Sequence, residues 1–265
     1  MTSAAPSTIL KAALHTGDGL DVRLLHYPAG LTQPRHCHEQ TQLSVLLVGG
    51  LREITARDDV EAVRPASGLK PAGQSHAAAF GPQGALMLSM TLTEGRAPRW
   101  AAGEWRPNAP GVPAVIAGLL TANDPTARAE MAEDLTALLA ASSEAGPGLA
   151  ERDAAHRLKR ALDEDPDDGR IGRMAEALGL HRAHLTRCFT ETYGLAPSLY
   201  RARAMTARAL SLALHGEDSL AAVAADAGFA DQSHLARTCR RQIGVSLSRI
   251  RALFAGATSV QAAAA

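Results

Sequence analysis

The sequence predicts an α+β chain of several domains: an N-terminal β-barrel, a helical segment, and an all-α C-terminal region built from two similar units. Three observations carry this. Residues 8–100 read as short strands broken by turn signals, the composition turns helical at about Pro107, and the last third repeats itself with a period near 50.

The strands come first. Leu43-Ser44-Val45-Leu46-Leu47-Val48 ends in Gly49-Gly50, and Ala85-Leu86-Met87-Leu88-Ser89-Met90 is a second apolar run. Turn signals recur at Pro28-Ala29-Gly30, Ala66-Ser67-Gly68, Pro71-Ala72-Gly73 and Gly81-Pro82. Many short strands at this spacing suit a small barrel or sandwich. Residues 110–121 and 125–142 then read as helices. In the second, Ala127, Met131, Leu135, Leu138 and Leu139 share a face, opposite Arg128, Glu130, Glu133 and Asp134. Asp124-Pro125 supplies an N-cap and a first-turn proline. The apolar stripe serves either its own domain or a dimer seam. Residues 142–148 (SSEAGPG) form a breaker cluster that reads as a linker. The end, Ala255 to Ala265, is small and featureless, and is expected to fray.

Charge separates the same parts. The chain has 265 residues and a formal net charge of zero. Residues 1–150 hold 11 basic and 14 acidic side chains, whereas Gly169 onward holds 12 basic and 6 acidic. An acidic cluster, Asp163, Glu164, Asp165, Asp167 and Asp168, lies between. A basic module on a neutral chain implies an anionic partner for that module. Cys37, Cys188 and Cys239 are too few and too scattered for a disulfide framework, which suits a reducing cytoplasm. No signal peptide and no run of ~18 apolar residues is visible, so no membrane partner is expected.

In the repeat, Ala175-x3-Gly179 matches Ala224-x3-Gly228 at an offset of 49. Leu185 matches Leu235, Arg187 matches Arg237, and Gly194 matches Gly244, at an offset of 50. Two such units fit a pair of helix-turn-helix motifs. The glycines stand where a helix-ending turn wants a positive φ. Leu185, Cys188 and Phe189 point inward in the first unit, and Leu235, Cys239 and Ile243 in the second. Outward stand Arg182, Thr186 and Arg187 in one, and Gln232, Ser233, His234 and Arg237 in the other, with Arg240 and Arg241 behind. Asp231 is placed to cap the second reader. Arginine can read guanine and glutamine adenine in the major groove, and further basic residues can hold phosphates. A long helix over 197–214 would set the distance between the two readers.

At these residues the sequence resembles a known family. Gly228-Phe229-Ala230-Asp231-Gln232-Ser233-His234-Leu235-x-Arg237 looks like the signature of AraC-family bacterial transcription regulators. Leu178-Gly179-Leu180-His181-Arg182-Ala183-His184-Leu185-x-Arg187-x-Phe189 through Gly194-Leu195-Ala196-Pro197 looks like that family's first unit. The resemblance covers roughly 155–253. It implies base-facing roles for Arg182, Ala183, Thr186 and Arg187, and for Gln232, Ser233, His234 and Arg237. Cys239, Leu247 and Ile250 depart from the family's usual phenylalanine, proline and tyrosine.

The N-terminal part carries Gly30-x5-His36-x-His38-x3-Gln42-x6-Gly49, which resembles the first cupin motif with glutamine in place of glutamate. Pro71-x-Gly73-x2-His76 resembles the core of the second, with Phe80 for its usual asparagine and Pro65 for its leading glycine. In metal-binding cupins these positions hold a divalent metal. Here His36, His38, Gln42 and His76 are the candidate ligands for a divalent transition metal, imidazole suiting zinc, iron, nickel or copper. The other reading is a metal-free pocket for a small-molecule effector.

These readings imply a cupin-like effector domain over 1–105, a helical dimerisation segment and linker over 106–148, and a DNA-binding domain over 149–255. The expectation is a cytoplasmic, non-enzymatic, homodimeric regulator of double-stranded operator DNA. By the resemblance it is an activator that works with RNA polymerase. The alternative is a metal-dependent cupin enzyme with a DNA-binding tail. Gln42 and Phe80 speak against it, as does the lack of a nucleophile elbow, phosphate loop or general-base pair.

Overall fold

The computed structural model describes residues 8–17, 19–93, 95–98, 100, 104–140, 152–165 and 170–261. The expected linker over 142–148, and Asp167 and Asp168 of the acidic cluster, lie outside the described residues.

Among the described residues, nine strands form one antiparallel sheet that wraps on itself: β1 (Thr8–Gly17), β2 (Leu20–Tyr27), β3 (Thr32–His36), β4 (Thr41–Ile54), β5 (Asp59–Ala62), β6 (Ala66–Lys70), β7 (His76–Leu92), β8 (Trp105–Pro107) and β9 (Thr258–Gln261). The main path runs β8-β6-β4-β7-β2-β1-β9, with β3 on β7 and β5 on β4. The long strands β4 and β7 pair twice, Thr41–Gly49 with Leu92–Ala85 and Leu51–Ile54 with Phe80–Ala77. A register shift at Leu46/Val48 lies within the first stretch, and the shift at Gly49/Leu51 separates the two and turns the corner. Gly49 has φ +93°, and a side chain there would run into the Gly84 carbonyl, so the corner needs glycine. The last strand before the helices, β8, ends at Pro107.

The helices follow: α1 (Val112–Thr121), α2 (Pro125–Ala140), α3 (Arg152–Glu164), α4 (Arg170–Ala177), α5 (Arg182–Tyr193), α6 (Pro197–His215), α7 (Leu220–Asp226), α8 (Gln232–Ile243) and α9 (Leu247–Phe254). Asp124 caps α2 as expected, accepting from the Ala127 N–H at 2.8 Å. The stripe of α2 faces its own chain: Leu135 and Leu139 are buried in a core shared with α1 and the barrel, and Met131 and Leu138 pack partly buried against it. The Arg96–Glu133 ion pair ties α2 to the segment after β7. Among the described residues no helix is long and apolar enough to cross a membrane.

One apolar core joins the barrel to α1, α2 and the second helical unit, while the first unit, with Leu158, Leu185, Phe189 and Tyr200, packs in a cluster of its own that reaches the barrel at Val63. The former joins barrel residues such as Leu24, Val45 and Leu88 to Leu119 and Leu135, and to Met205, Leu210, Phe229, Leu235 and Ile250. Burying this much apolar surface is the main stabilising term. The three residues that depart from the family pattern, Cys239, Leu247 and Ile250, are all buried within it.

The tail differs from the expectation of fraying. Residues Thr258–Gln261 pair antiparallel with β1, from Lys11 to Thr8. The sequence there is short and polar, but a free sheet edge offers unpaired backbone groups, and the backbone alone can fill them.

Candidate functional site

The two helical units are built alike. Leu180 N–H donates to the Ala175 carbonyl at 2.8 Å, and Phe229 N–H to the Ala224 carbonyl at 2.9 Å. The glycines before them, Gly179 and Gly228, sit at φ +63° and +85°. This is the six-to-one bond of a helix C-terminus closed by a left-handed residue. Two caps then start the second helices. The Asp231 carboxylate accepts from the His234 N–H at 2.6 Å, and His181 Nδ1 accepts from the Ala183 N–H at 3.2 Å. Both helices end at left-handed glycines, Gly194 and Gly244. From 181 to 198 and from 231 to 248 the order of exposed, half-buried and buried positions is the same.

That shared pattern decides which side chains are free. Arg182, Ala183 and Arg187 are exposed on α5, with Thr186 half-buried. Gln232, Ser233 and Arg237 are exposed on α8, with His234 half-buried against the Phe229 ring. Arg240 and Arg241 are also exposed, but they stand at the other end of α8, beside a crevice shared with α1 and Leu47. His184 was missed by the reading of the sequence. It is the partner of His234 at an offset of 50, and it holds the Arg187 guanidinium at 2.9 Å. The repeat itself was the signal.

The barrel encloses a cavity of about 140 Å³. His36, His38 and His76 converge there, with one ring nitrogen from each within 4.8 Å of the others. His36 ends β3 and pairs with His76 at the start of β7, which explains the meeting. Cys37 is exposed and turned away. Gln42 lines the same cavity. Two charged groups were not anticipated. Glu53 is buried and accepts from Trp105 Nε1 at 2.6 Å, and its Oε1 lies 3.7 Å from Lys70 Nζ and 3.9 Å from His76 Nε2. Lys70 is buried beside it and donates to Ser44 Oγ at 2.8 Å. Glu53 has the strand parity of buried Leu51, while Arg52 points out, so alternation along β4 was the available signal.

Burial pushes His38 and His76 down to about 4. For His76 the Lys70 charge adds to this, and for His38 the two other histidines do. Burial also lowers Lys70, against the pull of Glu53. Neutral imidazoles are the ligand form of histidine, and the Glu53 carboxylate, paired with Lys70, stands next to them. Three ring nitrogens within 4.8 Å of one another permit a divalent transition metal at His36, His38 and His76, with the Glu53 carboxylate 3.9 Å from His76.

The fold thus defines a class: a duplicated helix-turn-helix domain packed on a β-barrel that has a polar, histidine-lined interior. Residues 174–253 match the family model described as "Helix-turn-helix domain". The chain is 33% identical over 86 residues to the HTH-type transcriptional regulator Rv1931c of Mycobacterium tuberculosis, covering 32% of this chain and 33% of that one. It is 27% identical over 104 residues to the HTH-type transcriptional regulator MtrA of Neisseria gonorrhoeae, covering 39% and 35%. The chain therefore spans about a third of the length of these curated relatives. Among solved structures, ToxT from Vibrio cholerae aligns with a TM-score of 0.38 at 12% identity, over 90% of this chain and 100% of that one.

Proposed function

We propose that this chain is a sequence-specific DNA-binding transcription regulator whose N-terminal barrel binds a small effector. The observation that carries the reading is the equivalence of α5 and α8: both end at a left-handed glycine, share one burial order, and expose Arg187 and Arg237 at matching positions. Arg182, Ala183, Thr186 and Arg187 then read one segment of the major groove, and Gln232, Ser233, His234 and Arg237 the next. Arg240 and Arg241 contact phosphates rather than bases. The working form is a cytoplasmic homodimer that acts with RNA polymerase as an activator. It performs no catalysis. An effector shifts the population of arrangements by its differential affinity for them. Selecting bound sequences from a random DNA pool tests this: two half-sites about one helical turn apart are expected. A pool that stays random after selection at low salt would overturn the reading.

The histidine cluster favours a second element of function, a divalent transition metal held by His36, His38 and His76 in the barrel. Metal titration of the full chain with zinc or cobalt tests it. Stoichiometric binding that is lost in His38→Ala is expected, and no binding above the level of that variant would remove the metal from the account.

A further inference from the structure

The two exposed arginines of the helical units stand in different surroundings. On α5, His184 precedes Arg187 by three residues and Cys188 by four, the spacings that put side chains on one face of a helix. Arg187 Nη2 donates to His184 Nδ1 at 2.9 Å. A guanidinium only donates, so Nδ1 is the accepting nitrogen and the ring proton sits on Nε2. Nε2 in turn donates towards Cys188 Sγ, 3.6 Å away. Cys188 is buried. The imidazole thus bridges a fixed sulfur and an exposed guanidinium. In the second unit the same place is held by His234, whose ring meets the Phe229 ring edge-on at 5.2 Å. The counterpart of Phe229 is Leu180, as their matching bonds to Ala224 and Ala175 show. Beside leucine there is no aromatic ring to lean on, and His184 turns to Arg187 instead.

We infer that His184 is a positioning residue for base reading: it holds the Arg187 guanidinium in one rotamer before DNA arrives, and so sharpens the choice of base that Arg187 makes. The inference rests on the reading of Arg187 as a base contact and adds what makes that contact selective. Arginine is rotamer-rich, and ordering it on binding costs affinity that a pre-set side chain keeps. One N–H goes to His184, and the rest of the fork remains for guanine O6 and N7. A neutral imidazole holds the guanidinium without cancelling its charge, as a carboxylate in this place would. A loose guanidinium can also settle on a phosphate, which carries no sequence information, and the tether opposes that.

The test is titration of the full chain with the DNA sequence selected from a random pool, and with copies in which single base pairs are exchanged. Arg187→Ala first marks the base pair whose preference depends on Arg187. At that base pair His184→Leu should reduce the ratio of matched to mismatched affinity by about three- to tenfold. The ratios at the base pairs of the second reader should stay as in the parent. His184→Asn, whose Oδ1 falls close to the Nδ1 position, should restore most of the preference. His184→Gln carries its amide further out and should not; it takes the place of His184→Leu should that variant fail to fold. Added to Arg187→Ala, His184→Leu should cause no further loss at that base pair, because the two side chains act as a unit. A parent-like ratio in His184→Leu, an equal loss at both readers, no rescue by His184→Asn, or additive losses would each overturn the role of His184 while base reading by Arg187 stands. The parent's preference retained at every base pair in Arg187→Ala would overturn base reading by Arg187, and the inference with it.

Discussion

Arg187 and Arg237 are exposed at their tips, that of Arg187 in contact with His184, and fixed at their bases. Their neighbours Leu185, Cys188 and Phe189, and Leu235 and Cys239, are buried, so each helix can turn little about its axis. Replacing either arginine with alanine should weaken specific binding by about 1–3 kcal/mol and relax preference at one base pair, read by titrating matched and mismatched operators. Equal affinity for both operators in the parent and the variants would deny them a reading role. A different residue answers to pH. His26 on β2 is buried and faces α6, where Ser211 Oγ and His215 Nε2 lie 3.2 Å from its two nitrogens. Burial, and then His215, lowers its pKa from 6.5 to about 3. Below pH 6.5 the unfolded chain takes up a proton that the folded chain refuses until about pH 3. Stability from this group is therefore full above 6.5 and falls as the pH drops, by about 1.4 kcal/mol per pH unit. His38 and His76 add to the same slope. Urea denaturation at stepped pH should show a shallower loss in His26→Gln than in the parent, and an unchanged slope would exclude His26 as a contributor.

At the scale of elements, the helical units were legible because their signals are local. The helical period, the Asp231 cap and the left-handed glycines each depend on a few consecutive residues. The meeting of His36 with His38 was legible for the same reason. Glu53 and Lys70 were not, because only the pairing of β4 with β6 and β7 brings them to the histidines. Helix α6 shows the limit most clearly. Leu199 reads as part of its apolar character but is 45% exposed, while Arg203, one turn on, is buried under the barrel. A helix's own sequence does not say what will cover it. The caps give a graded prediction. Asp231→Ala should cost about 1 kcal/mol in denaturation. Gly179→Ala meets open space and should cost only the left-handed strain, about 1–2 kcal/mol. Gly244→Ala carries the same strain and also strikes Ala117 on α1, so it should cost more. Equal losses at Gly179 and Gly244 would show that the contact with α1 is slack.

At the scale of the molecule, the barrel and the helical domain are not beads on a string. Arg249 Nε donates to the Leu120 carbonyl at 2.8 Å, and its Nη2 to Asn123 Oδ1 at 3.0 Å. Arg203 reaches Leu47, and β9 returns to β1. With the barrel and the second helical unit sharing one core, scanning calorimetry of the full chain should show these two parts unfolding in a single cooperative transition. Separate transitions for these two parts would mean that the shared core contributes little to cooperativity. Deleting residues 1–148 would strip the cover from Met205 and Leu210, so the isolated C-terminal fragment is expected to be much less stable than the same region in the full chain.

The two cap glycines bear on how DNA would be read. Gly194 packs against Arg64 and Gly244 against Ala117, so equivalent points of the two units rest on the same N-terminal body. The phase between the readers is then held by a rigid bracket and not by α6 alone. On B-DNA one inserted base pair advances the second half-site by about 3.4 Å and turns it by about 34°. A bracketed pair cannot follow that turn. Operators lengthened by a single base pair between the half-sites should lose most of their affinity, and those lengthened by a full turn should bind through one reader only.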